Sequence, residues 1–189
     1  PWTLPSNTAL CVGNKIDYVA VRTYNPYNAN PVTVILAKDC LATYFDPKGA
    51  ELDLDSYKQG DKIIPYRIVG EYKGADLIGM HYKQLFPWVK PVTIADDGTI
   101  TKSDAGFRVI CGDYVTTDDG TGIVHIAPTF GADDAFVAKA AGIPSLFMVN
   151  RKMETRPMVD PTGKYWKIDD LDPDFVKDCV DTTLYSEYE

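Results

Sequence analysis

Residues 120–134, Gly-Thr-Gly-Ile-Val-His-Ile-Ala-Pro-Thr-Phe-Gly-Ala-Asp-Asp, leave the backbone few choices. Gly120 and Gly122 permit a sharp turn. Residues 123–127 then alternate as a strand, with Ile123, His125 and Ala127 on one face and Val124 and Ile126 on the other. Pro128 has no N–H to give a ladder, so the strand ends there. Gly131 allows a second close turn. From Asp133 a helical pattern runs to Ala141, pairing Phe136 with Ala140 and Val137 with Ala141, and stops at Gly142. One of the chain's two histidines and an acid nine residues beyond it thereby share the mouth of one strand–loop–helix unit.

The rest of the chain reads as short strands separated by turns. Residues 9–12 and 18–23 read as paired strands, the second rich in β-branched and aromatic residues. A polar turn at 25–31 leads to a strand at 32–36 and a short helix over 37–45, with Leu41 and Phe45 on one face. Asp46-Pro47-Lys48-Gly49 closes that helix, a second covers 52–58, and 62–72 forms a strand kinked at Pro65. Asp96-Asp97-Gly98-Thr99 is a hairpin turn after the strand at 92–95. Residues 107–110 and 113–116 lead into a second hairpin at 117–120, whose return strand carries His125. An apolar strand follows at 145–149, and Asp172-Pro173 caps and starts a helix running to about residue 180. This pattern predicts an α+β, β-rich fold with a barrel-like core and a few short helices. Residues 1–150 hold that core; 151–189, more acidic and less strand-like, read as its C-terminal part and a connector toward a parent domain. The opening at Pro1 and the unpunctuated tail read as those of an excised domain.

With 189 residues, 45% of them hydrophobic, the chain can bury a substantial core. A net charge of −8 argues against a free-standing nucleic-acid binder, which needs a basic surface to displace counterions. Cys11, Cys40, Cys111 and Cys179 form no C-x-x-C pair, so neither a zinc site nor a disulfide framework is expected. That usage, and the lack of a spanning apolar run, predict a reducing, cytoplasmic setting.

The candidate chemistry is sparse. Gly120-x-Gly122 precedes its strand and lacks the third glycine of a dinucleotide loop. No Ser or Cys has an evident base partner. His125 is either a satisfied core histidine or a site residue. Asp133 reads as the N-cap of its helix. Asp134, surplus to capping, is either a first-turn acid favoured by the helix dipole or a carboxylate able to hold an ammonium group. Trp2, in a proline-flanked loop, is a plug over the barrel end or a pocket wall. His81 has no acid, Cys or second His beside it and receives no role.

Two separated motifs add a family. Pro1-Trp2-Thr3-Leu4-Pro5-Ser6-Asn7 and the 120–134 stretch together resemble the editing domain of isoleucyl-tRNA synthetases, the connective-polypeptide insertion in a class I Rossmann catalytic domain. Lys73-Gly74, Leu77-Ile78-Gly79, Tyr82 and Leu85-Phe86 between them resemble the same pattern, so the likeness covers the whole chain. The valyl and leucyl relatives carry Arg-Pro in the first motif and lack the His-Ile-Ala-Pro form. Neither His-Ile-Gly-His nor Lys-Met-Ser-Lys-Ser, the class I synthetic signatures, occurs here.

The resemblance implies hydrolysis of valyl-tRNA(Ile) and valyl-adenylate while isoleucyl-tRNA(Ile) is spared. The alternatives are a valyl-type editing domain and a non-catalytic insert that docks the tRNA acceptor end. It marks Asp134, His125 and Thr3 as catalytic: Asp134 binds the substrate's α-ammonium and His125 stands beside the aminoacyl side chain. Trp2, Thr3 and Asn7 line the pocket against the terminal adenosine. The implied reaction needs no metal or cofactor, ATP and Mg serving only the synthetic domain. The implied partners are the tRNA(Ile) acceptor end and the rest of a parent synthetase, in a monomer without membrane contact.

Overall fold

The structure is a computed structural model that describes residues 3–185, so Trp2 lies outside the described residues. Its chain is strand-rich with a few short helices, as the sequence predicts. The strands are β1 (Ala9–Val12), β2 (Asp17–Tyr24), β3 (Pro31–Ala37), β4 (Arg67–Lys73), β5 (Val92–Ile94), β6 (Ile100–Lys102), β7 (Arg108–Cys111), β8 (Ile123–Ile126), β9 (Met148–Val149) and β10 (Thr155–Arg156). The α-helices are α1 (Leu41–Tyr44), α2 (Gly74–Leu77), α3 (Ala132–Ala140), α4 (Pro173–Cys179) and α5 (Thr182–Tyr185). Among the described residues the strands stand in open sheets ordered β7-β1-β8, β3-β2-β4, β5-β6 and β9-β10, and none closes into a barrel. No described helix is long and apolar enough to cross a membrane.

The chain divides into two units, one of residues 1–10, 79–110 and 125–189, the other of residues 11–78 and 111–124. In the second, β2 is the central strand. Tyr18, Val19 and Val21 on it are fully buried, and its antiparallel partners run from Tyr18 opposite Ala37 on β3 and Tyr72 on β4. The Tyr18 hydroxyl donates to the Gly122 carbonyl at 2.6 Å and accepts from the Gly13 N–H at 3.0 Å. Burial pushes its phenol pKa up, so it stays a donor. This clamp fixes the turn that launches β8. Gly122 is required there twice over: its φ is +72°, and a Cβ would stand 2.5 Å from that of Ala37.

In the first unit the core gathers around Trp88, with Leu146, Met148, Met158, Leu171 and Tyr185 all buried. Trp88 meets Tyr165 and Tyr185 edge-on, at centroid distances of 5.4 and 6.2 Å. Each fully buried Leu or Met here contributes roughly 1.5–3 kcal/mol, so this cluster anchors the C-terminal helices.

Several expectations need correction. β1 and β2 are not partners: each is a buried central strand whose two edges are taken by other strands, across the turn closed by Ile16 N–H on Gly13 O. The second hairpin is absent, because β1 lies between β7 and β8 and residues 113–116 form no strand. The Gly112 N–H instead bonds Val12 O, and the exposed polar run after it turns back on itself. The helix at 37–45 is a 3-10 turn, Lys38–Cys40, followed by the single turn α1. The strand expected from residue 62 begins at Arg67, once past Pro65.

Candidate functional site

Thr3, Asn7, His125 and Asp134 all belong to the first unit. The 3-10 turn Leu4–Ser6 is closed by Ser6 N–H on Thr3 O and Asn7 N–H on Leu4 O, both at 3.0 Å. It delivers the chain into β1, and Thr8 N–H bonds Ile126 O at 2.9 Å, which sets the N-terminal loop beside the histidine strand. The Thr3 Oγ1 and His125 Nε2 atoms come within 3.4 Å. That is a long hydrogen bond whose donor depends on the imidazole tautomer.

His125 Nδ1 is buried and has no hydrogen-bond partner among the described residues. Either tautomer leaves that nitrogen unpaired. An unmade hydrogen bond on a buried polar atom costs about 1–3 kcal/mol, and such atoms call for a specific explanation. The Ser6 and Thr8 hydroxyls, on fully buried residues, are orphaned in the same way. This corner of the fold therefore carries more hydrogen-bonding capacity than the described residues use.

Asp134 is the third residue of α3, and its carboxylate does not cap its own helix. Oδ2 accepts the Ala127 N–H at 2.8 Å, two residues beyond His125 on the same chain segment. Ala127 follows directly on β8, so the carboxylate is tied to the same short stretch of backbone that carries the imidazole. Its other oxygen has no hydrogen-bond partner among the described residues. Gly131 makes this possible, since a Cβ there would meet the Asp134 carboxyl carbon at 3.3 Å. The loop is pinned by Phe130 N–H on Ala127 O at 3.0 Å and by Thr129 Oγ1 donating to Leu146 O at 2.7 Å. Asp133 is not the N-cap: α3 starts one residue earlier, at Ala132, with Gly131 in the capping position, and Asp133 projects outward.

Asn7 is buried at 4% exposure and its amide is spoken for. Nδ2 donates to Ala9 O at 2.9 Å, and Oδ1 accepts the Tyr82 hydroxyl at 2.6 Å. Tyr82 is a residue that sequence reasoning gave no role. Burial raises its phenol pKa far above the usual value, so it stays protonated and keeps its bond to Asn7. Its ring meets Phe107 edge-on at 6.0 Å. The two partners are 75 positions apart, and no local pattern could pair them. His81 is exposed, and its backbone bridges Arg108.

The structure thus brings Thr3 to His125, and Asp134 to the residue two beyond it, while Asn7 faces inward to Tyr82. Among the described residues no three His, Cys, Asp or Glu side chains converge to hold a metal ion. A cavity of about 400 Å³ lies elsewhere, against Tyr24, Tyr27 and Tyr44, and includes none of these four residues.

No protein-family model matches the chain. The chain is 69% identical over 189 residues to the isoleucine–tRNA ligase of Bacteroides thetaiotaomicron, covering all of this chain and 16% of that protein. It is 52% identical over 189 residues to that of Porphyromonas gingivalis, again with 16% of the relative covered. With that of Clostridium tetani the identity is 37% over 167 residues, spanning 88% of this chain and 12% of the relative. Among solved structures, one titled "The crystal structure of GlLeuRS-CP1" aligns with 74% of this chain and 40% of its own, at 17% identity and a TM-score of 0.43.

Proposed function

The chain belongs to the isoleucine–tRNA ligase family, as a segment about 16% of its relatives' length, and we propose that this segment is the part that hydrolyses mischarged valyl-tRNA(Ile) and valyl-adenylate. The need for such a site is physical. A synthetic pocket gains only about 1–3 kcal/mol from one extra methylene, a limit for which isoleucine against valine is itself the standard illustration. Valine is therefore attached in error, and a second, smaller pocket must remove it.

The observation that carries the reading is the Asp134 carboxylate. It is fixed by the Ala127 N–H just past the histidine strand and keeps one oxygen without a partner among the described residues. A rigid anion with a free face is what an α-ammonium group requires, and charge-assisted bonds of this kind are about twice as strong as neutral ones. With the amine held there, the aminoacyl side chain is directed toward His125, whose ring crowds out isoleucine and leaves room for valine. Thr3, in contact with that ring, lines the reacting end, and Asn7, braced by Tyr82, shapes the wall against the terminal adenosine.

Hydrolysis in this reading is non-covalent. A water attacks the ester carbonyl, the bond to the ribose oxygen breaks, and valine leaves with its carboxylate while the tRNA regains its hydroxyl. The protein contributes mainly by holding the ester and the water in register. The test is deacylation of valyl-tRNA(Ile) by the parent ligase carrying Asp134→Ala. Loss of valine release is expected, and undiminished release refutes the assigned role.

A further inference from the structure

The second unit contains a pocket that the editing reading does not use. It measures about 400 Å³, within the range of small-ligand sites. Val34 and Phe45 stand in its apolar wall, and Tyr27 and Tyr44 stand at 86% and 51% exposure. Phe45 packs against Tyr66 at 5.0 Å, and Tyr24 stacks on Tyr57 at 4.8 Å with planes 23° apart, so the walls are braced from behind.

Tyr27 is the unusual member. Its backbone is tied on both sides: its N–H donates to Asn25 Oδ1 at 2.9 Å, and its carbonyl accepts Gln59 Nε2 at 2.6 Å. The same turn holds Ala29 at φ +57°, a conformation a non-glycine residue adopts at a cost, closed by Ala29 N–H on Asn25 O. A strained, well-bonded turn thus carries a large aromatic ring that contributes little to the core. Polar residues line the pocket with it. The Asn25 side-chain NH₂ has no hydrogen-bond partner among the described residues. Asp46 uses Oδ1 to cap the turn at Lys48 N–H, and its Oδ2 has no hydrogen-bond partner among the described residues. Lys62 also lines the pocket.

We propose that this pocket binds an unstacked nucleobase, with Tyr27 and Tyr44 supplying ring faces, Asn25 and Asp46 meeting the base edge, and Lys62 facing the attached phosphate. The match is one of chemistry. A base offers a flat π-face to an aromatic ring, ring nitrogens to an amide donor, an exocyclic amino group to a carboxylate and an anion to an ammonium. An aliphatic ligand would leave the polar groups unused. The chain's membership of a family named for its tRNA substrate makes an unpaired tRNA nucleotide the natural source, and a free nucleotide shares the same chemistry. The inference stands apart from the editing site, since none of its residues belongs to that site.

The test uses the intact parent ligase, in its native form and with Tyr27→Ala, Tyr27→Phe and Tyr44→Ala. Each is cross-linked to tRNA(Ile) by ultraviolet light and mapped by mass spectrometry, and each is titrated with AMP, GMP, CMP and UMP. A nucleotide adduct on Tyr27 or Tyr44 supports the site with tRNA as its source. Saturable binding of free monophosphates that Tyr27→Ala or Tyr44→Ala weakens, without an adduct, supports it with a free nucleotide, whereas binding indifferent to both substitutions belongs to the ATP site of the synthetic domain. In either case Tyr27→Ala weakens binding roughly 10-fold or more and Tyr27→Phe restores it, because loss of one base–aromatic stack has about that effect. Absence of both adduct and tyrosine-dependent binding overturns the proposal.

Discussion

Two helices in the same unit begin in opposite ways. At α4, Asp172 occupies the N-cap, its Oδ1 accepts Phe175 N–H at 2.9 Å, and Pro173 takes the first helical position. Every local preference for a helix start is met there. At α3, two acids occupy the first turn, yet the N-cap is Gly131 and no side chain caps the helix. Asp134 reaches back instead to the backbone of the histidine strand. The first carboxylate stabilises its own helix. The second has been withdrawn from that task and tied to the backbone two residues past a histidine whose Nδ1 has no partner among the described residues. Local rules are broken most often where a residue serves something other than stability, and the start of α3 is one such place among the described residues.

That contrast can be sharpened by substitutions, taken from the largest expected effect downward. Asp134→Asn keeps a carbonyl oxygen for Ala127 N–H but loses the charge. Deacylation of valyl-tRNA(Ile) by the parent ligase is expected to fall roughly 100-fold while thermal unfolding of the chain hardly moves. A large drop in unfolding temperature with activity preserved would make Asp134 a second structural cap and erase the contrast. His125→Ala should bring hydrolysis of isoleucyl-tRNA(Ile) within about 10-fold of the valyl rate, the scale set by one methylene. Continued sparing of isoleucine would move the steric barrier elsewhere. Asp172→Ala should cost about 1 kcal/mol of stability, a fall of about 2–4 °C in a domain of this size, with deacylation unchanged. Asp133→Asn should cost only a few tenths of a kcal/mol through the helix dipole. If it depressed deacylation as far as Asp134→Asn, a generic acidic patch would replace the positioned carboxylate.

The same pair of helices shows what a sequence discloses. Asp172-Pro173 is a complete local signal, and the helix start is where it predicts. The Asp96 to Thr99 turn is equally self-contained: Asp97 Oδ1 accepts Thr99 N–H, Gly98 adopts φ +84°, and β5 and β6 pair across it. Gly142, at φ +67°, ends α3 as a C-terminal glycine should. The β8 segment is legible too, because alternation and Pro128 bound it. What lay beyond reach was pairing over distance. Neither the insertion of β1 between β7 and β8 nor the Tyr82–Asn7 bond leaves a trace in neighbouring residues. Asp134 is intermediate: its surplus to capping can be read, but its bond to Ala127 depends on how the 127–131 loop folds.

In the proposed site Asp134 and His125 together grip a small aminoacyl group by its amine and its side chain. The decisive experiment is a crystal structure of the parent ligase with a non-hydrolysable valyl-adenosine analogue. The analogue's ammonium nitrogen is expected at hydrogen-bond distance, about 2.7–2.9 Å, from an Asp134 carboxylate oxygen, with the isopropyl group against the His125 ring. An analogue bound with its ammonium on other groups, and Asp134 engaged solely by the Ala127 N–H, would contradict it.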